Sequence, residues 1–205
     1  MTGDERSSLL AHPELARLAR ALRAHPGAQA SVGAEVRLAA ILLTLRIGAD
    51  GHPELLMIKR AELERDPWSG HVACPGGRME PGDHDLEQTA LRETWEETGV
   101  DVARDGLVLG TLDDLAPRTP RLPPIMIRPY VAVVRPEVHI VASSEVADAF
   151  WVPLAALREQ AAWAIRPVMV RNAGEWQVET FRHGDYTVWG LTERVLRNFL
   201  ARLDG

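Results

Sequence analysis

The feature that most constrains this chain is a run of nine residues, Arg92 to Val100, that contains three glutamates. On an α-helix Glu93, Glu96 and Glu97 stand at positions i, i+3 and i+4, so their carboxylates project from one face. Like charges in this arrangement destabilise a helix by roughly 0.2–0.5 kcal/mol per pair and raise the carboxyl pKa values. A hard divalent cation such as Mg²⁺ or Mn²⁺ reverses that effect. Taken alone, the run is compatible with either a solvated acidic helix face or a metal site.

A glycine-rich loop lies just before this run. Pro75, Gly76 and Gly77 allow backbone amides and carbonyls to approach a metal ion or a phosphate closely. Helical spacing begins at about residue 85 and ends at Gly99, a residue typical of helix C-termini. The sequence therefore predicts a loop that leads into an acidic helix, and we expect the chemistry at that junction.

Composition limits what such a site could serve. The chain has 205 residues, of which 46% are hydrophobic and 25% charged, as in ordinary globular proteins. Its net charge of −6 argues against a large basic surface for nucleic acid, and its single cysteine, Cys74, cannot form an internal disulfide. No apolar run approaches the roughly 18 residues of a membrane span, and no signal-peptide pattern is visible. We expect a cytoplasmic protein with a small-molecule substrate, no nucleic-acid partner and no membrane partner; a homodimer is compatible with the sequence.

Apolar periodicity predicts the remaining elements. Residues 13–23 form an amphipathic helix, and a linker rich in Pro, Gly and Ala follows over residues 25–33. We therefore expect an N-terminal helix and linker over residues 1–30 and one main domain over residues 31–205. The predicted strands are 35–46, 54–59, 107–112, 125–134, 150–154, 175–181 and 186–189; further helices are predicted from about residue 155 and over 192–203, and long loops over 62–81 and 113–124.

The loop and the acidic run together resemble the signature of the Nudix hydrolases. That signature has a glycine, five residues, a glutamate, seven residues, and then Arg-Glu-apolar-X-Glu-Glu-X-Gly-apolar. With Gly77 as the first glycine, Asp83 takes the first acidic position, and eight residues lead to Arg92. Thr94 occupies an apolar position, but the Arg-Glu-X-X-Glu-Glu-X-Gly core is intact. The role of Asp83 is therefore left open.

The resemblance implies an α/β fold, with a mixed sheet sandwiched between helices in an α/β/α arrangement, and hydrolysis of a nucleoside diphosphate linked to another group. It implies that Glu96 and Glu97 are metal ligands and that Glu93 is a ligand or the base that orients water. Arg92 would pair with a carboxylate on the helix face, and the Gly77 carbonyl would contact the metal. The implied cofactor is Mg²⁺ or Mn²⁺, which neutralises the diphosphate and lowers the pKa of bound water.

The segment before the signature resembles the motif of coenzyme A diphosphatases. In that motif a strand ends in Arg-Ser/Ala, a second Arg follows after three residues, and a Gly precedes Phe-Pro-Gly-Gly. Arg60, Ala61 and Arg65 match it, but four residues instead of three separate Arg65 from Gly70, and Cys74 replaces the Phe. The resemblance implies coenzyme A or acyl-CoA as substrate. The altered spacing keeps open ADP-ribose, dinucleoside polyphosphates and nucleoside triphosphates, and a non-catalytic ligand sensor is a further alternative.

Several other residues are candidates for contact with substrate or metal. An acidic protein needs local arginines to attract phosphate, so Arg60, Arg65 and Arg118 are expected to bind substrate together with Gly76, and Arg121 is a further candidate. The carboxylate of Glu145 either contacts the metal or only caps a loop. Cys74 lacks a histidine at a suggestive spacing, so we interpret it as a small core residue.

Overall fold

The computed structural model describes residues 3–62, 69–117, 124–170 and 173–204. Its strands are β1 (Arg37–Ile47), β2 (Pro53–Arg60), β3 (Val72–Ala73), β4 (Gly76–Arg78), β5 (Gly106–Thr111), β6 (Ile125–Val134), β7 (Val146–Pro153), β8 (Trp163–Val170), β9 (Gly174–His183) and β10 (Tyr186–Trp189). Its helices are α1 (Gly3–Leu9), α2 (Pro13–Ala24), α3 (Leu86–Thr98), α4 (Val102–Asp105), α5 (Leu154–Arg158) and α6 (Leu191–Asp204), and a 3-10 turn covers Gln160–Ala162.

The central sheet has the order β3-β2-β1-β6-β5, with β4 paired to β1 and β7 paired to β2. Strands β1 and β6 run parallel, whereas the other pairs in this sheet are antiparallel, so the sheet is mixed. The predicted β1–β2 hairpin is confirmed, with Ile47 opposite Pro53 at its turn.

Helices cover both faces of the central sheet. Side chains alternate along β1, so that Leu43 and Leu45 join one buried cluster while Ala40 and Leu42 join the other. The first cluster is closed by α2, α6 and a small antiparallel sheet of order β10-β9-β8, and the second by α3 and α4. The expected α/β/α sandwich with a mixed central sheet is confirmed.

The N-terminal helix packs directly on this core. Its Leu15, Leu18, Ala19 and Leu22 are fully buried in the cluster shared with the sheet. Residues 25–33, predicted as a linker, form neither helix nor strand, but some of their amides bond to the rest of the chain. Gly27 N–H donates to the Thr111 carbonyl at 3.1 Å, and Ala28 N–H donates to Asp113 at 2.8 Å. The division at residue 30 stays a prediction.

Other differences from the predicted elements have local causes. The loop predicted over 62–81 contains the short strands β3 and β4, because this segment finds partners on β2 and β1. Strand β7 begins at Val146 instead of residue 150, and β8 was not predicted because Pro167 interrupts its strand pattern. Helix α1 lacks an apolar stripe that would predict it. Among the described residues, no helix has the length and apolar character needed to cross a membrane.

Candidate active site

The acidic helix α3 begins and ends as its sequence predicts. Asp85 caps its first turn by accepting from the Gln88 N–H at 2.8 Å, and Gly99 ends it in the left-handed conformation at φ +70°. Thr94, at the apolar position of the signature, is fully buried, and its hydroxyl donates to the Ala90 carbonyl at 2.7 Å. The hydroxyl is therefore satisfied within its own helix, and threonine serves at this core position without an unpaired polar group.

The glycine pair brings the loop backbone against the helix. Gly76 has φ +153°, and a Cβ there would overlap the backbone carbonyl of Ala40 on β1, so a side chain is excluded. Its N–H donates to Glu97 Oε2 at 2.9 Å. A Cβ on Gly77 would overlap the carboxyl group of Glu93. Gly76 is thus required by the close approach of β1, whereas a side chain at Gly77 would displace the Glu93 carboxyl.

Arg92 is the hub that joins the loop to the helix. Its guanidinium contacts both oxygens of Asp83 at 3.0 Å, Glu93 at 3.0 Å and Glu96 at 2.9 Å, and donates to the Arg78 carbonyl at 3.1 Å. The pairing of Arg92 with carboxylates on the helix face is therefore observed. Arg92 is also a positively charged neighbour that keeps Glu93 and Glu96 close together despite their like charge.

Asp83, whose role the sequence left open, anchors this hub. Its carboxylate also accepts from the Thr89 hydroxyl and from the Glu80 N–H, each at 2.9 Å. Chiefly through its bonds to Arg92, its pKa lies far below the ordinary value despite its burial. Thr89 was missed by sequence reasoning. The signal that could have found it is its i, i+3 spacing from Arg92, which places both on one side of α3.

Burial is the main influence on the carboxyl pKa values of Glu93 and Glu97. The Glu97 carboxyl is almost fully buried, and desolvation raises its pKa to about 7, opposed by the Gly76 N–H and by Arg60. Burial likewise raises the pKa of Glu93, opposed by Arg92. The nearby Glu93 and Glu145 add to the rise at Glu97. Both carboxylates therefore lie where added positive charge would be strongly favourable.

This donor set fits a hard divalent ion. Carboxylates suit Mg²⁺ or Mn²⁺, and the buried carboxyl group of Glu97 is contacted by the Gly76 N–H at 2.9 Å and by Arg60 at 3.4 Å. Glu96 is more exposed, 47% of its side chain, and turns toward Arg92. Within the described ranges no three acidic, His or Cys side chains converge on one point. Arg92 contacts only Oε1 of Glu93 and Oε2 of Glu96, so the second oxygen of each carboxylate is not bonded to Arg92.

The structure places the remaining candidates as follows. Arg60, at the end of β2, lies at the site through its ion pair with Glu97, and Glu145 lies close enough to raise the pKa of Glu97. Cys74 is buried in the core, and its pKa is raised to about 12 by that burial, in agreement with a core residue. Arg65, Arg118 and Arg121 lie outside the described residues.

Comparison with known proteins places this geometry in a family. The model of the NUDIX domain matches residues 37–172, more than half of the chain. Mitochondrial coenzyme A diphosphatase NUDT8 of Homo sapiens is 32% identical over 187 residues, covering 90% of this chain and 76% of that protein. Peroxisomal coenzyme A diphosphatase ndx-8 of Caenorhabditis elegans is 36% identical over 114 residues, covering 55% of this chain and 46% of that protein.

A solved structure supports the same fold. The crystal structure of a MutT/nudix family protein from Enterococcus faecalis aligns over 100% of this chain and 75% of its own, with a TM-score of 0.55 and 18% sequence identity. That likeness extends to the architecture alone. The matched domain model and the two coenzyme A diphosphatase relatives agree with the geometry of the β4–α3 junction. The chain therefore belongs to the Nudix hydrolase family and resembles its coenzyme A diphosphatases.

Proposed function

We propose that this Nudix enzyme hydrolyses the diphosphate linkage of coenzyme A or acyl-CoA to 3′,5′-ADP and a 4′-phosphopantetheine product. The observation that carries the proposal is the contact between Arg60 and Glu97. Arg60 belongs to the segment that resembles the coenzyme A motif, whereas Glu97 belongs to the general signature. The guanidinium of Arg60, a candidate phosphate-binding group, thus lies next to the Glu97 carboxyl of the Nudix signature. The names of the two relatives favour the same substrate class.

The protein's own groups would share the work as follows. Arg60 would bind a phosphate of the substrate, since a guanidinium binds oxyanions with paired donors. Glu93, held against Gly77, would act as a ligand or as the base that orients the attacking water. Asp83 and Arg92 would keep the loop and the helix in fixed relation, so that these groups stay aligned with the diphosphate.

Nudix hydrolases generally need a divalent metal, and we propose Mg²⁺ or Mn²⁺ here. Glu93, Glu96, Glu97 and the Gly77 carbonyl would hold it. When bound, the ion supplies positive charge that neutralises the diphosphate and makes a water molecule more acidic. In the same proposal Gly76 serves the substrate site indirectly, because its N–H positions Glu97. Arg65 and Arg118 stay predicted substrate contacts.

A panel hydrolysis assay tests the substrate. Purified protein is incubated with Mg²⁺ or Mn²⁺ and one of coenzyme A, acetyl-CoA, ADP-ribose, a diadenosine polyphosphate or a nucleoside triphosphate, and the products are identified by mass. We expect 3′,5′-ADP from coenzyme A or acetyl-CoA as the preferred reaction. A higher kcat/KM for another member of the panel would contradict the substrate but keep the metal chemistry.

The same assay separates an enzyme from a sensor. If no substrate turns over, a thermal shift titration with Mg²⁺ asks whether the fold binds metal at all, since a ligand that binds only the folded state raises its melting temperature. Turnover without added metal, abolished by a chelator, would show a tightly held ion.

The cytoplasmic location expected from the sequence also stays a prediction, because the names of the two relatives place those proteins in mitochondria and peroxisomes.

A further inference from the structure

The distal part of the β8–β9 hairpin is a separate feature of the molecule. Residues 165–170 and 174–179, named the arm here, include no buried side chain. Three large apolar side chains stand out from it, Ile165 at 64% exposure, Met169 at 72% and Trp176 at 43%. The base of the same hairpin differs, because Phe181 is fully buried there and packs against Trp163. The arm thus leaves the core that stabilises its base.

One face of the arm combines apolar and acidic side chains. Ile165 lies opposite Glu179 and Met169 lies opposite Glu175, with Pro167 and Gln177 between them. Glu179 is paired with Arg197 at 2.9 Å, whereas no described cation lies within ion-pair distance of Glu175. A two-stranded hairpin is marginally stable in water without a packed face. Contiguous exposed apolar side chains with a polar rim are typical of a protein interface.

A groove elsewhere on the molecule has the complementary character. It lies between α2 and α6, and its lining combines Ala21, Ala24 and Ala201 with Arg17, Arg20, His25 and Arg202. Arg17 and Arg20 are exposed, and no carboxylate of the described residues lies within ion-pair distance of either. The groove therefore offers an apolar alanine floor and two uncompensated cations on a protein whose net charge is −6.

We propose that the arm of one protomer docks in the α2–α6 groove of a second copy of this chain, and that the reverse contact closes a two-fold homodimer. Ile165 and Met169 would cover the alanine floor, and Glu175 would pair with Arg17 or Arg20. Reciprocal contacts give two such patches per dimer, as required of a closed two-fold assembly.

Two features favour this partner over other modes of association. Strand β8 is the outer strand of its small sheet, but Pro167 has no N–H to donate, which disfavours edge-to-edge pairing of two β8 strands. Glu175, which has no described cation within ion-pair distance, disfavours docking of this face on an anionic lipid surface. The groove of another copy offers alanine side chains for Ile165 and Met169 and arginine side chains for Glu175.

Light scattering coupled to size-exclusion chromatography, over a range of protein concentrations, tests the proposal. We expect a dimer for the wild type. The variants Met169→Glu in the arm and Arg17→Glu with Arg20→Glu in the groove should each raise the dissociation constant at least about tenfold. Val141→Glu is the matched control, since Val141 is 71% exposed but lies outside both surfaces, and it should leave the mass unchanged.

Mixing the two variants identifies the contact itself. A Met169→Glu copy keeps its groove and the groove variant keeps its arm, so the mixture can form one intact arm–groove contact. We expect the mixture to associate more tightly than either variant alone. A wild type that stays monomeric at every concentration would overturn the proposal, as would a dimer that both variants leave intact. Association in the mixture that is as weak as in either variant would show that the arm and the groove do not contact each other, and would also overturn the proposal.

Discussion

The β4–α3 junction and the β8–β9 arm show opposite ways of placing polar and apolar groups. At the junction, Gly76 leaves no room for a side chain, Gly77 lies against the Glu93 carboxyl, Asp83 accepts four hydrogen bonds, and Arg92 contacts three carboxylates. In the arm, Ile165 and Met169 point into solvent. Many contacts fix each side chain of the junction. A site that holds reacting groups in place to a fraction of an ångström needs such support. The arm is held by the pairing of its two strands and, at its base, by the ion pair of Glu179 with Arg197.

This difference means that equal chemical changes should have unequal effects. At the junction, even one added methyl group or one lost charge affects a neighbouring side chain in direct contact. In the arm, a larger substitution replaces a side chain that is mostly surrounded by water. We therefore expect effects of decreasing size, from a large loss of catalysis on substitution of Glu93 to almost no change in stability on substitution of Met169.

The largest effect is expected for Glu93→Gln. The amide keeps the shape of the side chain but loses the charge that would bind metal or accept a proton, so kcat should fall about 10²–10⁴-fold. Stability without metal should be unchanged or slightly higher, because one repelling carboxylate is removed from the helix. Steady-state kinetics and thermal unfolding measure the two quantities. The control is Glu87→Gln, an exposed glutamate in the first turn of the same helix. Near-wild-type turnover of Glu93→Gln would place catalysis elsewhere.

A smaller loss of activity is expected for Gly77→Ala. The new methyl group would overlap the Glu93 carboxyl, which lies at the flexible end of its side chain and can move aside. Folding should therefore be nearly unaffected, while displacement of Glu93 by about 1 Å should lower kcat on the order of 10²-fold. Gly82→Ala is the matched control, since nothing lies within 4 Å of a Cβ at Gly82. If both variants have wild-type kcat, the contact between Gly77 and Glu93 does not matter for catalysis.

Next comes the stability contributed by Asp83. Asp83→Asn leaves Arg92 without its buried counter-ion, and we expect the free energy of unfolding to fall by about 2–3 kcal/mol at neutral pH. Because the pKa of Asp83 is depressed in the folded state, its stabilisation is present above the unfolded value of about 3.9 and is lost as the pH falls below it. The difference between wild type and variant should therefore narrow on acidification.

Urea denaturation at neutral pH and at a series of acidic values measures this effect. Asp185→Asn, in the exposed turn between β9 and β10, is the control and should change stability little at any pH. A gap between wild type and Asp83→Asn that widens on acidification would contradict the depressed pKa.

The same contrast explains what the sequence could predict. Helix α3 and its loop were predictable because the spacing of Glu93, Glu96 and Glu97 and the position of Gly99 are local signals. The sheet was predictable because both of its faces are buried, so β1 and β6 are continuous apolar runs. Local spacing could not reveal the role of Asp83, since its bonds to Arg92 span nine positions along the chain.

The arm was only partly predictable for a related reason. Strand β9 was expected over 175–181, but β8 was not, because Pro167 argues against a strand unless that strand is at an edge. Only the assembled sheet shows that β8 is an edge. Along residues 25–33, the Gly and Pro content likewise could not reveal that the Gly27 N–H bonds to the Thr111 carbonyl.

The smallest effect on folding is expected for Met169→Ser. Its side chain is 72% exposed, so removal of most of its apolar surface should change the free energy of unfolding of the isolated chain by less than about 0.5 kcal/mol. Phe181→Ser, on the same hairpin but fully buried, should cost several kcal/mol, because it leaves a cavity and buries a hydroxyl. Denaturation at a protein concentration low enough to exclude association separates this intrinsic stability from any contribution of a partner. Equal losses for the two variants would show that the arm is part of the cooperative core, and the contrast between the junction and the arm would then fail at its weakest point.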